Sequence, residues 1–365
     1  MLLKQCVMVA MAAVVTALGT GSVRVVAQGP QPNPFGPPDK HFFQLPDGRV
    51  IGSTVALGMD PDGTSLWVYQ RCGVYRITSD GEPAAAEILQ RRDSRRECEG
   101  SDEDPIMLFD ATGQMVKSFG GGMIMHPHGM HVDPQGYIFV TDGDQAQFDT
   151  NKGNQVFKFS PDVELLLTLG RPGGSDGLSG SDFHMPSSVI TNDAGEIFVG
   201  DGHGRRGANA RIVKFTKDGE FIKAWGRKGA GAGKLSNPHD LAFDSQGRLF
   251  VADRDNDRVV VYDQDGNVLV QSWKQFGTPA GVFIHKQTDT LYVADSLSGE
   301  DPERNPGWTG GKGIYIGSAK TGVVTGYVPD PDPEGSQEGT ALDPTGRIMY
   351  GAQSDKATVN RYVRR

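Results

Sequence analysis

Two histidines and one glutamate stand at the same position of an internal repeat, and all three side chains are metal ligands. The position lies five residues ahead of a turn and just before a β-rich segment. In chain order it holds Val55, His128, Ser187, His239, Ala280 and Glu338. Two imidazoles and one carboxylate with open positions opposite are typical of a catalytic rather than a closed structural metal site. The pattern therefore predicts a divalent metal at His128, His239 and Glu338, with Zn²⁺ favoured and Fe²⁺ as the alternative.

A structural interpretation of these histidines competes with the metal. His128 and His239 each follow a proline, and a histidine there often only hydrogen-bonds a neighbouring repeat. His126 and His131 flank His128 and make the segment look like a metal cluster. Because alternate residues of a strand point to opposite faces, we expect His126 and His131 to have structural or supporting roles.

Arg71 and His203 are the candidates for catalysis because neither recurs in the repeat. Arg71 follows the segment SLWVYQ, and His203 opens a loop after the segment IFVGD. Each residue follows a segment that is expected to form a strand. Both side chains are therefore expected near one mouth of a channel that the repeats enclose. The alternatives are a surface salt bridge for Arg71 and a solvated loop for His203.

The elements that position these residues are short paired strands. The segments Gly129–Asp142, Ser188–Asp201 and Asp240–Asp253 share an alternating apolar stretch, a turn, a second β-rich stretch and a closing aspartate. Weaker copies lie at Ala56–Gln70, Gly281–Asp295 and Gly339–Ala352. Alternation around glycine-containing turns is typical of hairpins, and two further strands separate successive copies.

The repeats, spaced by roughly 40 to 60 residues, predict an all-β fold, a six-bladed β-propeller of four-stranded blades. Closing the ring removes most exposed sheet edges, whereas an open solenoid is the alternative. We expect a C-terminal strand near Val359–Val363 to complete a blade with a strand around His41–Leu45. Equivalent positions then surround a central channel, and alternate blades carry His128, His239 and Glu338.

The N-terminus is typical of a secretory signal. Lys4 precedes an apolar run from Cys6 to Leu18, and cleavage after Ala27 would leave residues 28–365 as the propeller. An uncleaved anchor is disfavoured because the run is shorter than the ~20 residues that span a bilayer. The sequence thus predicts a periplasmic or secreted protein without a membrane association after cleavage.

Charge and cysteine content fit that location. The net charge of −9 becomes more negative on loss of Lys4 and Arg24, which argues against a nucleic-acid partner. Cleavage also leaves only Cys72 and Cys98. In an oxidising compartment these are disulfide candidates, and two buried thiols are the alternative.

The motifs P-H-G-x-x-V-D, D-x-x-G and V-A-D-x-x-N-x-R resemble the NHL repeat family from about Val55 to Val363, most closely at 251–266. Within it the chain resembles the peptidyl-α-hydroxyglycine α-amidating lyases, six-bladed NHL propellers with a channel zinc. The resemblance implies a substrate-polarising role for Arg71 and zinc ligation by His128 and His239. It also implies that Met130 offers a backbone carbonyl to a calcium ion.

The sequence departs from the family pattern at three positions. Glu338 stands where the family has its third zinc histidine, and Gly339 replaces an acidic calcium ligand, which puts Ca²⁺ in doubt. His203 stands in place of the catalytic tyrosine. Histidine titrates near neutral pH, so His203 is predicted to be the general base.

These features favour an exported C–N lyase that binds a small or peptide substrate in the channel and releases an amide and glyoxylate. One alternative is a non-catalytic NHL propeller that binds a protein or glycan partner. The third hypothesis is a lactonase-like hydrolase, which ranks lower because lactonase sites are rich in acidic calcium ligands.

Overall fold

A computed structural model describes residues 31–46, 49, 51–72, 98, 101–145, 151–172, 180–203, 209–298, 308–332 and 335–365. These residues form six antiparallel sheets with a single short turn of 3-10 helix, Arg254–Asn256. The predicted all-β, six-bladed propeller is therefore confirmed. The predicted signal, residues 1–27, lies outside the described residues. The described part of the chain contains no helix long and apolar enough to cross a membrane.

The first three blades each contain four strands in chain order. Blade 1 consists of β1 (Thr54–Met59), β2 (Leu66–Gln70), β3 (Ile106–Phe109) and β4 (Met115–Phe119). Blade 2 consists of β5 (Pro127–Val132), β6 (Ile138–Gln145), β7 (Gly153–Phe159) and β8 (Leu165–Gly170). Blade 3 consists of β9 (Pro186–Thr191), β10 (Ile197–Asp201), β11 (Arg211–Phe215) and β12 (Phe221–Trp225).

The second half of the ring ends in a three-stranded sheet. Blade 4 consists of β13 (Pro238–Phe243), β14 (Leu249–Asp253), β15 (Arg258–Tyr262) and β16 (Val268–Trp273). Blade 5 consists of β17 (Pro279–His285), β18 (Thr290–Asp295), β19 (Gly313–Ser318) and β20 (Val324–Pro329). Blade 6 consists of β21 (Gln337–Leu342), β22 (Ile348–Gln353) and β23 (Val359–Val363).

The first strand of every blade lies at the axis. Each first strand contacts the first strand of the next blade, and β21 contacts β1, so the ring is closed. The last strands of the four-stranded blades lie at the rim, where Leu166, Phe221 and Leu269 are exposed. A residue at the start of a first strand therefore faces the axis.

The turn between the first two strands of a blade has a local cause. In blade 2 the carboxylate of Asp133 accepts hydrogen bonds from the backbone N–H groups of Gln135 and Tyr137. Gly136 closes the turn with a φ of 85°, a conformation that costs little only for glycine. The D-x-x-G motif thus fixes the hairpin register of the repeat.

The hydrophobic core consists of separate clusters, one between each pair of adjacent blades. Between blades 4 and 5, for example, Phe250 and Val261 pack with Val293 and Tyr315. The second and third strands of each four-stranded blade are largely buried on both faces because a neighbouring blade covers each face. The stability of a blade therefore depends on its neighbours.

The N-terminal segment that completes blade 6 is not the one that the sequence predicted. Antiparallel bridges join Phe35 to Arg364 and Asp39 to Arg361, so residues 35–39 rather than His41–Leu45 extend blade 6 beside β23. Gln44 instead bridges Gln114 next to β4 of blade 1. The sequence indicated that an N-terminal segment completes a sheet, but it could not indicate which sheet edge each part of that segment covers.

Candidate metal centre at one end of the channel

The antiparallel hairpins bring the predicted site residues to one end of the channel. Pro127 at the start of β5 pairs with Asp142 in β6, and Pro238 at the start of β13 pairs with Asp253 at the end of β14. Residues that begin first strands and residues that follow second strands therefore meet at the same end. His128 and His239 belong to the former group, and Arg71 and His203 to the latter.

The channel is a cavity of about 600 Å³ lined by the first strands of all six blades. The six positions singled out in the repeat all line it: Val55, His128, Ser187, His239, Ala280 and Glu338. Beyond them the lining is mostly apolar and includes Met130, Ile190 and Phe283. A ligand bound at the histidines would thus have an apolar cavity beside it.

Three imidazoles meet at the channel end. His128, His203 and His239 each place one ring nitrogen so that these atoms lie within 4.8 Å of one another. The ring centroids of His128 lie 4.4 Å from His203 and 4.7 Å from His239. The three rings come from blades 2, 3 and 4, which are adjacent, whereas the repeat predicted a set from alternate blades.

Backbone carbonyl groups orient two of the rings. His128 Nδ1 lies 2.7 Å from the carbonyl oxygen of Ser187, and His239 Nδ1 lies 2.7 Å from that of Ala280. Because a carbonyl only accepts, each Nδ1 carries the proton and each Nε2 keeps its lone pair. This is the arrangement by which an outer hydrogen bond fixes a histidine ligand.

Burial keeps the three rings neutral. Burial and, to a smaller extent, the nearby Arg71 guanidinium together lower the pKa of His128 to about 3. Burial also lowers the pKa of His239 and His203 well below the usual value. Arg254 contributes to the lowering for His239, and His128 does so for His203. Neutral imidazole is the form that binds metal ions.

Arg254 is a site residue that the sequence interpretation missed. Its Nη1 lies 2.6 Å from His239 Nε2, and its Nη2 lies 3.3 Å from His203 Nε2. Nη1 also lies 3.9 Å from a carboxylate oxygen of Glu338. Arg254 begins the short 3-10 turn after β14. The only signal in the sequence is that it follows the closing aspartate of blade 4, as His203 nearly does in blade 3.

Glu338 lies at the same channel end but outside the group of three histidines. Its Oε1 faces Arg254, and its Oε2 is buried without a hydrogen-bond partner. The roles predicted for Glu338 as a metal ligand and for His203 as a base both remain predictions. The structure brings both side chains to the site.

Arg71 lies next to a disulfide at the edge of the site. Its backbone N–H donates to the carbonyl oxygen of Ser53, and its guanidinium lowers the pKa of His128. Cys72 and Cys98 form a disulfide, as the cysteine count suggested. Cys98 in turn donates its backbone N–H to Met125, three residues before His128. The disulfide and this hydrogen bond thus connect the residue after Arg71 to the segment that leads into β5, the strand that carries His128.

The two flanking histidines differ in their surroundings. His131 Nε2 lies 2.9 Å from the hydroxyl oxygen of Thr191 in the neighbouring blade. His126 is buried, and its ring centroid lies 6.2 Å from that of His128. Neither belongs to the group of three, in agreement with the supporting roles predicted for both.

The group fits a divalent metal in its chemistry. His128 Nε2 is buried and has no hydrogen-bond partner, which is costly for a polar atom unless a ligand satisfies it. Imidazole nitrogens suit Zn²⁺ and Fe²⁺. At His239 Nε2 a metal would have to replace the hydrogen bond from Arg254.

Fold and site together define a six-bladed β-propeller with a cluster of histidines at one end of its channel. Residues 235–262 match the sequence model of the NHL repeat. The chain is 30% identical over 186 residues to mouse NHL repeat-containing protein 3, a match that covers 50% of this chain and 52% of that protein. The chain thus spans about half the length of this relative.

The amidating enzymes are also similar in sequence. Peptidyl-alpha-hydroxyglycine alpha-amidating lyase 1 of Drosophila melanogaster is 35% identical over 169 residues, which is 42% of this chain and 28% of that protein. Mouse peptidyl-glycine alpha-amidating monooxygenase is 32% identical over 194 residues, which is 50% of this chain and 18% of that protein. The resemblance inferred from the motifs is confirmed.

Solved structures support the fold. A gluconolactonase from Xanthomonas campestris superposes with a TM-score of 0.58 at 14% identity, covering 93% of this chain and 98% of that one. A putative gluconolactonase has a TM-score of 0.55 at 14% identity, with 88% and 93% of the chains covered. At this identity the likeness shows the propeller architecture alone.

Proposed function

We propose that the chain is an exported, metal-dependent lyase that cleaves the C–N bond of a peptidyl-α-hydroxyglycine and releases an amide and glyoxylate. The observation that carries the proposal is the group of three buried or half-buried imidazoles within 4.8 Å at the end of an apolar channel. Sequence similarity to the amidating lyases supports the choice of reaction.

His128 and His239 would hold the metal through Nε2, because their Nδ1 atoms are bonded to backbone carbonyl groups. A bound Zn²⁺ or Fe²⁺ would act as a Lewis acid at an oxygen of the substrate. His203 and Glu338 remain for two further roles, the third ligand and the acceptor of the hydroxyl proton. Both lie at the same channel end, so either side chain is within the site.

Arg71 would bind the substrate carboxylate or carbonyl oxygen. A guanidinium presents several donors in a plane and matches a carboxylate in two hydrogen bonds. The disulfide beside Arg71 limits how far it can move from His128. A cation held in place stabilises negative charge that develops on the substrate as the C–N bond breaks.

Export is part of the proposal. The Cys72–Cys98 disulfide supports it, because disulfides persist in oxidising compartments and are rare in the cytosol of most cells. The signal-like N-terminus predicted from the sequence has the same implication.

A non-catalytic propeller is the second candidate function. The contact between Arg254 and His239 favours it, because the guanidinium lies against a nitrogen that a metal would use. Such a protein would bind a protein or glycan partner and would not depend on the lone pairs of the histidines.

The assay that separates the two candidates is glyoxylate release from a peptide ending in α-hydroxyglycine. We expect the purified mature protein to release glyoxylate, to lose this activity after chelation and to regain it with Zn²⁺ or Fe²⁺. Substitution His128→Ala removes a buried ligand and should abolish the metal-restored activity. The control is His285→Ala, which replaces a half-buried histidine at the end of β17 whose ring contacts Pro344 and does not line the channel.

Failure of the proposal would be equally clear. Absence of glyoxylate release by the metal-loaded wild type, with the expected fold by circular dichroism, would leave the non-catalytic propeller. Hydrolysis of a sugar lactone in a parallel assay would instead identify a lactonase-like enzyme.

A further inference from the structure

Two roles at the proposed site can be assigned to His203 and Glu338 from their positions. The resemblance to the amidating lyases places the third metal ligand at Glu338 and the base at His203. The structure groups these side chains differently, since the ring of His203 belongs to the group of three and Glu338 does not. The inference rests on the proposed function, because it concerns the same site.

His203 has the position of a ligand. Its ring centroid lies 4.4 Å from that of His128 and 5.1 Å from that of His239. Its Nδ1 is buried without a hydrogen-bond partner. The backbone N–H of His203 donates to the carbonyl oxygen of Met185, which anchors the start of its loop to the start of the same blade. A ring held in this way can bind a cation together with its two neighbours.

Glu338 has the position of a proton acceptor. Its Oε2 is buried and free of hydrogen bonds, and an ionised carboxylate offers only acceptor sites. Its Oε1 lies 3.9 Å from Nη1 of Arg254. The side chain is 11% exposed and lines the channel cavity beside the histidines. A substrate hydroxyl in the channel would therefore find a free acceptor.

We infer that the two roles are exchanged in this protein: His203 is the third metal ligand and Glu338 accepts the hydroxyl proton. In the reaction Glu338 takes the proton of the α-hydroxyl group, and the C–O bond becomes the carbonyl bond of glyoxylate. The C–N bond breaks, its electron pair goes to nitrogen, and the nitrogen takes the proton from Glu338 to give the amide. The step needs no water and no redox partner.

The test compares the metal content and activity of His203→Ala and Glu338→Gln. We expect His203→Ala to lose most of its bound metal. Glu338→Gln should keep the wild-type metal content while kcat falls by about 10²- to 10⁴-fold, the typical contribution of a general base. Glu220→Gln, which neutralises an exposed glutamate, is the control and should change neither quantity. Because His203→Ala could impair folding, His203→Gln and the melting temperature of each variant are measured alongside.

If Glu338→Gln loses its metal while the folded His203 variants retain theirs, the exchange of roles is overturned. The proposed function would remain intact. Retention of metal by both variants also overturns the exchange, since neither side chain would then be a ligand. A wild type that binds no metal overturns both proposals, which distinguishes the failure of the function from that of the exchange alone.

Discussion

At the scale of single residues, Arg254 and a metal compete for the same lone pair. The Nη1 of Arg254 lies 2.6 Å from His239 Nε2, and burial has already made that imidazole a neutral acceptor. A cation can reach Nε2 only after the guanidinium moves away. The carboxylate of Glu338 lies 3.9 Å from the same guanidinium and would keep the displaced Arg254 side chain close to the site.

Arg254→Met should therefore raise the affinity of the protein for Zn²⁺. A hydrogen bond from a charged donor contributes about 1.5–3 kcal/mol, so the expected gain is about 10- to 150-fold. Calorimetric titration of the chelator-stripped protein measures it. Arg171→Met removes the same charge from an exposed site and should leave the affinity unchanged. Equal or weaker binding by Arg254→Met would show that the guanidinium does not obstruct the metal.

The sequence predicted part of this site and missed part of it. Counting along the repeat was enough to place His128, His239 and Glu338 at the channel end, because equivalent positions of a closed ring must surround the axis. It could not place Arg254. The direction of that side chain depends on the 3-10 turn, which is followed by Asp257 with a φ of 51°. The repeat motif V-A-D-x-x-N-x-R leaves the residue at position 254 unspecified.

At the scale of elements, buried aspartates hold blades 2, 3 and 4 to the loops that enter them. The carboxylate of Asp253 at the end of β14 accepts hydrogen bonds from the backbone N–H of Ser236, from Arg258 Nε and from Asn256 Nδ2. Asp142 holds the loop before His128 in the same way through the N–H of His126. These contacts give the closing aspartates of the repeat a structural role.

Asp253→Asn should lower the free energy of unfolding by about 3 kcal/mol, because it leaves the buried Arg258 guanidinium without its charged partner. Chemical denaturation measures the change. Asp218→Asn alters an exposed ion pair and should shift the stability by less than about 0.5 kcal/mol. Equal effects of the two substitutions would contradict the role of Asp253 in holding blade 4 to the loop that enters it.

At the scale of the whole molecule, the site exists only because the ring closes. The three imidazoles come from blades 2, 3 and 4, and the guanidinium of Arg254 reaches Glu338 in blade 6 across the axis. The sequence predicted the number of blades, since six copies were countable. It did not predict that residues 35–39 extend blade 6, because several extended segments could cover that edge equally well.

The most direct test of the account is to locate the metal itself. Crystals of the mature protein grown with Zn²⁺ should show an anomalous scattering peak at the zinc edge, bounded by ring nitrogens of His128, His203 and His239. The same peak should be absent from crystals of His128→Ala. A wild-type channel without any peak, with Arg254 still bonded to His239, would contradict the metal centre and the lyase function that depends on it.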